Sequence, residues 1–538
     1  MVKTSCLLRP VYISLFLACS LSGFTQSAAS LASVYQFQAP VEGRIAFLWI
    51  PPHCKYVRGI VFAMENALER NWMEDPIVRK AAAEEDLAMV WLADGKPTSI
   101  TWEMKPDAIR LLDTMFRDLA AVSGYPEIEN APLVMTGHSW NGRAAWTYTN
   151  AHPDRVIMSI PIRTYPLPDS LQFPGVPMCY ILGQTTELPQ FNDGRPGDRD
   201  FFWPIVRRTA LALRAKDERN LIGVVTYPGG CHMDWSDDQS RFLALLLHKA
   251  CKYRLPEQRP ADGRVKLRTL QPSMGWLTDT GGMAPDHFAP ASYSTYKGDP
   301  QKAYWFLDKD VALAAIALSG DRKPRQKQMI TFLQGNDTLD VRKNGYVDLP
   351  LQLNNDEIKV AGGSLLTIPE GLIGAGQPLG HAAGTFSFRA VMGPCIQQGP
   401  DLFTVRFDRQ KPRNIMIMAT QQGDATYRRA LQPALITIPP ELTEGKEQSI
   451  NFPRIDDQPS TTKNIPLKAT ASSGLPVHYY VVSGPAILDK DQLYLTPIPP
   501  RSRWPVKVTV VAWQYGRSLE PKIRTATPVR QTFFISKN

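Results

Sequence analysis

Along the first half of the chain, short apolar runs alternate with stretches of helical spacing. Arg44–Ile50 and Gly59–Met64 are strand-length apolar runs. Pro76–Asp86 has helical spacing and leads to the run Ala88-Met89-Val90-Trp91-Leu92. Ile109, Leu112, Met115, Phe116 and Leu119 fall on one helical stripe. Leu133-Val134-Met135, Pro177–Gly183 and Ile222–Tyr227 read as further strands, and Phe242 to Ala250 as a helix. Strands alternating with helices predict a mostly parallel sheet covered on both faces. After Pro256 helical stripes become scarce, while Pro, Gly and alternating apolar residues increase, which predicts all-β modules.

Within that second half, two segments look like copies of each other. Gln328-Met329-Ile330-Thr331-Phe332 opens one and Gln448-Ser449-Ile450-Asn451-Phe452 the other. Each later reaches an A-x-Q-x-G stretch, Ala419–Gly423 and Ala512–Gly516. The first copy is longer, and an insertion around Gly362–Gly384 accounts for the difference.

The chemistry concentrates in the first half. Gly137-His138-Ser139-Trp140-Asn141-Gly142 joins an apolar run to a helical pattern, the layout of a nucleophile elbow, which lifts a serine hydroxyl out of the sheet. The usual G-x-S-x-G has glycine where this chain has Asn141; here the glycine comes one position later. His232 follows the strand Ile222–Tyr227 in a glycine-containing loop, where neutral imidazole would take the serine proton and return it to the leaving group. An acid to orient that imidazole is expected after the strand ending at Gly183. Glu187 is the leading candidate, with Asp193, Asp198 and Asp200 as rivals. Asp234 and Asp237 read as caps of the next helix. An oxyanion needs two backbone N–H donors. One is expected from Trp140, the other from Glu65 in the loop after Met64. Asn66 and Arg143 are the candidate substrate contacts, and this chemistry needs no metal or organic cofactor.

With serine, acid and histidine in that order, residues 36–256 resemble the α/β-hydrolase superfamily. Locally, Ser139-Trp140-Asn141-Gly142-Arg143 is similar to the elbow of glucuronoyl esterases, which reads serine, any residue, Asn, Gly, then a basic residue. Those enzymes often have cysteine where this chain has His138. The stretch Ala471–Val477, followed by Tyr479–Val482 and Ser483–Ala486, resembles the immunoglobulin-like sandwich repeats of secreted bacterial proteins. The fold class expected is thus an α/β hydrolase followed by all-β immunoglobulin-like sandwich domains.

Lys3, Arg9, the apolar core Val11–Ala18 and the small residues Ser27-Ala28-Ala29 have the form of a secretion signal over residues 1–29. Phe16-Leu17-Ala18-Cys19 loosely resembles a lipobox, which leaves a cell-surface lipoprotein as the alternative to a secreted or periplasmic protein. Beyond the signal the chain has an odd number of cysteines, so at least one thiol is free. The net charge of +9 has no basic run behind it, which speaks against nucleic-acid binding, and no stretch outside the signal is long and apolar enough to span a membrane. The expected domains are a catalytic domain over 36–256, a connecting region over 257–327 that packs the modules against it, a β-rich module over 328–445 and a sandwich over 446–538. The partner implied is an ester on a polysaccharide or plant-derived polymer. A secreted peptidase or polyester depolymerase is the rival enzyme, and a surface-binding protein with a decayed hydrolase domain the rival without chemistry.

Overall fold

The computed structural model describes residues 35–93, 99–183, 202–227, 230–258, 265–279, 288–320, 325–342, 345–350, 357–372, 374–408 and 414–537. The signal over 1–29, the lipobox look-alike and the acid candidates Glu187, Asp193, Asp198 and Asp200 lie outside the described residues.

Eight strands form the first sheet: β1 (Phe37–Val41), β2 (Arg44–Trp49), β3 (Gly59–Met64), β4 (Leu87–Leu92), β5 (Leu133–His138), β6 (Val156–Ile162), β7 (Pro177–Gly183) and β8 (Leu221–Tyr227). Their order is β1-β2-β4-β3-β5-β6-β7-β8. β1 and β2 join antiparallel at one edge, and β4 to β8 run parallel. Every residue of β3 to β7 is buried, which requires cover on both faces and explains why these strands read as continuous apolar runs. Between them run α1 (Pro76–Glu84), α2 (Pro106–Ser123), α3 (Ser139–Ala151), α4 (Phe202–Lys216) and α5 (Asp237–Arg254). This is the α/β-hydrolase arrangement. The apolar pattern passes over β6 because Ser159 and Pro161 interrupt it, although both lie inside the sheet.

α1 shows how the sequence sets a boundary. Pro76 stands at its first position, and Asp75 accepts from the Ile77 and Val78 N–H groups at 2.7 and 3.2 Å. The other Asp75 oxygen takes the Ser240 hydroxyl at 2.9 Å, and Ser240 in turn accepts from the Trp235 indole at 3.0 Å. One cap therefore also anchors the start of α5, directly after His232.

The described residues of the segment over 257–327 pack on the first sheet. Ala291–Ser292, Trp276–Thr278 and Tyr304–Phe306 form a small antiparallel sheet, followed by α6 (Lys309–Ser319), and both pack on β8. Tyr304, Trp305 and Phe306 are buried there, so these rings are core. The Arg214 Nε reaches across from α4 to the Ala303 carbonyl at 2.8 Å.

Two β-sandwich units follow, and they are built alike. In the first, a four-stranded sheet runs Val347–Asp348, Ala430–Ile436, Ile415–Gln421, Ser387–Met392. The second has Gln458–Pro459, Val529–Ser536, Val506–Trp513, His478–Ser483 in the same places. The edge pair is parallel in both. The repeated motif has a physical cause. Gln421 Oε1 accepts the Gly423 N–H at 2.9 Å, and Gln514 Oε1 accepts that of Gly516 at 2.6 Å. Both glycines take positive φ, 77° and 97°, in the turn the glutamine closes. The opening glutamines match as well: Gln328 Nε2 donates to the Arg428 carbonyl and Gln448 Nε2 to that of Arg524, each at 2.7 Å. Much of the extra length of the first copy lies at 365–386, between Ala361–Ser364 and Ser387–Met392, where the second copy has only 472–477; the rest precedes Ala361.

These units are not spacers set apart from the catalytic domain. Phe452, Val508 and Ile535 of the second sandwich belong to one continuous buried cluster with the first sheet. Arg501 pairs with Glu127 at 3.0 Å, the Arg503 N–H donates to the Ser123 carbonyl at 2.9 Å, and that of Gly484 to Tyr35 at 2.9 Å. Trp513 and Tyr515 pack on Phe407 of the first sandwich, with ring centroids 4.6 and 5.1 Å apart. The three units together line an open cleft of about 590 Å³, with Arg70, Asp408 and Tyr480 among its walls.

Candidate active site

β5 ends at His138 and α3 begins at Ser139, with no loop between them. A turn this sharp forces Ser139 into the left-handed region, φ 54°, a conformation that a non-glycine residue rarely adopts. Both neighbouring glycines are needed for the approach of helix to strand. A Cβ on Gly142 would sit 2.7 Å from the Gly137 carbonyl oxygen and 2.8 Å from Thr164 Cβ, and one on Gly137 would sit 2.9 Å from the Asn141 carbonyl oxygen. Asn141 has its own task at the irregular fifth position: its Nδ2 donates to the Glu65 carbonyl at 2.7 Å, tying the elbow to the end of β3.

The loop after β8 brings His232 to the serine. The Ser139 hydroxyl donates to His232 Nε2 at 2.7 Å. Burial, and then the Arg163 charge, push His232 down to about 3, so the imidazole is neutral and its Nε2 can accept. His138, next to the nucleophile, is wholly buried and also held well below the usual histidine range, by burial and then by His232. Its Nε2–H donates to the His232 carbonyl at 2.8 Å, and the two rings lie 4.6 Å apart. The residue that stands where the resembling esterases have cysteine thus supports the histidine loop.

The oxyanion side differs from expectation. The Trp140 N–H lies in the first turn of α3, where backbone donors have no acceptor within the helix. The Glu65 N–H, expected as the second donor, is already used: it donates to the Leu92 carbonyl at 2.9 Å, completing the β3–β4 ladder. The next two N–H groups, of Asn66 and Ala67, both donate to Glu69 Oε2, at 2.8 and 2.9 Å. Glu69 Oε1 takes the His138 N–H at 2.8 Å, so this fully buried carboxyl ties the loop after β3 to the elbow. Burial and the Glu65 carboxylate push Glu69 up to about 8, against the pull of these N–H groups. The Glu65 carboxylate is held by the Trp91 indole N–H at 2.7 Å.

Arg143 projects from the second turn of α3 into an aromatic cage. Its guanidinium lies 3.4 Å from the Trp102 ring centroid, 3.7 Å from that of Trp140 and 4.7 Å from that of Tyr165. Trp140 and Tyr165 remain exposed, so the cage forms a surface beside the nucleophile. Asn66 is half-buried on the loop that receives Asn141. Asp234 and Asp237 do not cap α5, whose N-cap is Ser236. Both instead meet arginines: Asp234 lies 3.7 Å from Arg163 and 3.3 Å from Arg429, and Asp237 lies 3.0 Å from Arg389. Sequence reasoning missed Glu69, Arg163 and Arg429, since an isolated Glu or Arg carries no motif. Cys54, Cys179, Cys231, Cys251 and Cys395 are not joined in disulfides, and the first four are buried.

No protein-family model matches the chain, and no curated protein matches it. Solved structures similar in part include a poly(3-hydroxybutyrate) depolymerase from Bordetella parapertussis, 16% identical over 41% of this chain and 92% of that one, TM-score 0.30. An esterase from Pyrobaculum calidifontis is 12% identical over 43% and 90%, TM-score 0.28. A carboxylesterase from Mesorhizobium loti is 15% identical over 39% and 98%, TM-score 0.27. Likenesses of this size decide nothing about the reaction, which has to be read from the residues themselves.

Proposed function

We propose that this chain is a serine hydrolase of carboxylic esters, acting through an acyl-enzyme. The observation that carries the reading is Ser139, held at φ 54° with its hydroxyl 2.7 Å from His232 Nε2. Backbone strain of roughly 1–3 kcal/mol persists where the surroundings enforce it, and it clusters at working sites. That speaks for a catalytic serine and against a decayed domain. His232 takes the Ser139 proton as the oxygen attacks the ester carbonyl, and the Trp140 N–H at the positive end of α3 receives the developing oxyanion. His232 then protonates the leaving alcohol, and water repeats the sequence to release the acid. Glu187 is proposed to orient His232 and stabilise its cation.

The exposed faces of Trp140 and Tyr165, with Arg143 between them, suit a polar ring-bearing substrate such as an esterified polysaccharide, for which Asn66 is proposed as a further contact. The signal-like N-terminus and the immunoglobulin-like character of the sandwiches support a secreted or periplasmic enzyme. A fluorophosphonate probe should label Ser139, and Ser139→Ala should abolish both labelling and the hydrolysis of p-nitrophenyl esters. Full activity in the variant would end the proposal. Acetylated, feruloylated and glucuronoyl sugars then separate the substrate classes.

A further inference from the structure

Asp234 stands two residues beyond His232 in a turn closed by its own N–H on the Cys231 carbonyl at 3.1 Å. Its carboxylate is 5% exposed and lies between two guanidiniums. Arg163, from the end of β6, is completely buried at 3.7 Å. Arg429, from the first sandwich, comes closer, to 3.3 Å, with its guanidinium 5.1 Å from the ring centroid of Tyr227 at the end of β8. Further contacts seat the same sandwich face: Arg389 on Asp237 at 3.0 Å, Asn71 Nδ2 on the Val391 carbonyl at 2.8 Å, and Arg70 on Asp408 at 2.6 Å.

The second sandwich supplies an internal comparison. Gln326 bridges in parallel to Tyr427, and Lys446 bridges in parallel to Ile523 in the same way. Arg428 and Arg524 then occupy equivalent places, each accepting from the opening glutamine. The next residue is Arg429 in the first copy and Thr525 in the second. Thr525 bonds instead to the Tyr515 carbonyl and to the Leu442 N–H, at 2.5 and 2.7 Å, and so stays between the two sandwiches. The arginine has no counterpart at this place in the second copy, and it is present in the copy that faces the histidine loop.

We propose that Arg429 is a positioning residue for His232: through Asp234, the first sandwich fixes the loop on which the base stands, so the site is assembled only with the sandwich docked. This rests on the reading of Ser139 and His232 as the catalytic pair. The active site is accordingly not confined to the residues before Pro256. The groups facing His232 are Ser139 and His138 from the elbow, Arg163 from β6 and Asp234 from its own loop, with Arg429 and Tyr227 behind Asp234.

The test uses the full chain, a p-nitrophenyl ester and the pH profile of kcat/KM. Arg429→Met should lower kcat roughly ten- to a hundred-fold, while KM stays within about twofold. It should move the acid limb to higher pH, because the Asp234 charge, less neutralised, favours the imidazolium. Asp234→Asn should move the limb the other way, since it uncovers the Arg163 charge. Arg429→Lys should restore most of kcat. Thermal unfolding and circular dichroism check that each variant is folded. Wild-type kcat and an unmoved limb in Arg429→Met overturn the proposal, as does a lowered melting temperature without either kinetic change. Should Arg429→Met not fold, the Asp234→Asn limb decides, and absence of its downward shift is a refutation. A wild-type protein that the fluorophosphonate probe fails to label at Ser139 refutes the serine reading instead, so the two failures are distinguishable.

Discussion

The His138 ring donates to the His232 backbone carbonyl at 2.8 Å, so the residue before Ser139 holds the histidine whose ring meets the Ser139 hydroxyl. The elbow and the histidine loop come from strands separated in the sheet by β6 and β7, and no backbone ladder joins them directly. This hydrogen bond and the one from the Ser139 hydroxyl to His232 Nε2 close the gap. His138→Phe keeps a ring of similar shape and leaves the buried His232 carbonyl unsatisfied, at a cost of about 1–3 kcal/mol. Both thermal stability and kcat should fall, whereas Ser139→Ala should lower kcat alone. A His138→Phe protein with wild-type stability and turnover would show that the contact carries no strain-bearing role.

Both histidines also predict the acid side of the stability curve. His232 and His138 are neutral in the folded chain, with values below the unfolded histidine value of 6.5. Their contribution is complete above pH 6.5 and is lost as pH falls toward the folded values, because the unfolded chain binds the protons first. The urea midpoint should therefore drop between pH 6.5 and 4, and His138→Phe should flatten that drop. An identical slope in the variant would contradict the assigned neutral state.

Glu69 works in the opposite sense. Its folded value, about 8, lies above the unfolded value of 4.5, so its favourable contribution is complete below pH 4.5 and is lost as pH rises through 8. Glu69→Gln removes that alkaline loss but gives up carboxylate acceptors for the N–H groups of His138, Asn66 and Ala67. The variant should be less stable than wild type at pH 5, and the difference should narrow toward pH 8.5. Thermal melts across that range provide the measurement; a gap that stays constant with pH would mean Glu69 is ionised throughout.

The sheet was largely legible because the strands β3, β4, β5, β7 and β8 are buried on both faces and leave continuous apolar runs. β6 was hidden by Ser159, which donates to the Ala145 carbonyl at 3.0 Å, and by Pro161; both are polar or strand-breaking in isolation and satisfied only in the fold. The contact between Ser139 and His232 was legible because each stands in a glycine-containing turn that follows an apolar run. Glu69, Arg163 and Arg429 act across long sequence separations, and nothing local marks them. The bond from the Glu65 N–H to the Leu92 carbonyl was hidden for a related reason: it continues a strand ladder whose length the sequence does not show.

The elbow glycines predict a sharp asymmetry. Gly142→Ala places a methyl 2.7 Å from a backbone oxygen and 2.8 Å from Thr164, neither of which is the end of a flexible chain. The cost should be about 1–3 kcal/mol from overpacking, and kcat should fall with it as α3 moves off β5. Asn141→Gly restores the usual elbow spelling but loses the bond to the Glu65 carbonyl, so activity should decrease rather than improve. Steady-state kinetics of both variants decide this, and an Asn141→Gly enzyme faster than wild type would show that the asparagine is only a tolerated substitute.

Removal of residues 446–538 is the test of the whole architecture. Were the last sandwich a spacer, a chain ending at 445 would hydrolyse small esters as well as the full protein. The contacts argue otherwise. Truncation uncovers Phe407, which Trp513 and Tyr515 now cover, and leaves the buried Glu127 without Arg501. It also removes Phe452, Val508 and Ile535 from the cluster they share with the first sheet. The first sandwich would lose one of the surfaces that hold it in place, and with it the support of Arg429 for the histidine loop. The truncated chain should therefore unfold at lower temperature, bind more of a hydrophobic dye and hydrolyse a p-nitrophenyl ester more slowly, with the deficit in kcat rather than KM. Cutting at 327 should be worse, since it removes Arg429 itself. Thermal unfolding, dye binding and kinetics of the two truncates against the full chain measure this directly. A chain ending at 445 with undiminished kcat and melting temperature would mean that the second sandwich contributes nothing to the site, and its contacts with Glu127, Ser123 and Tyr35 would then be incidental to catalysis.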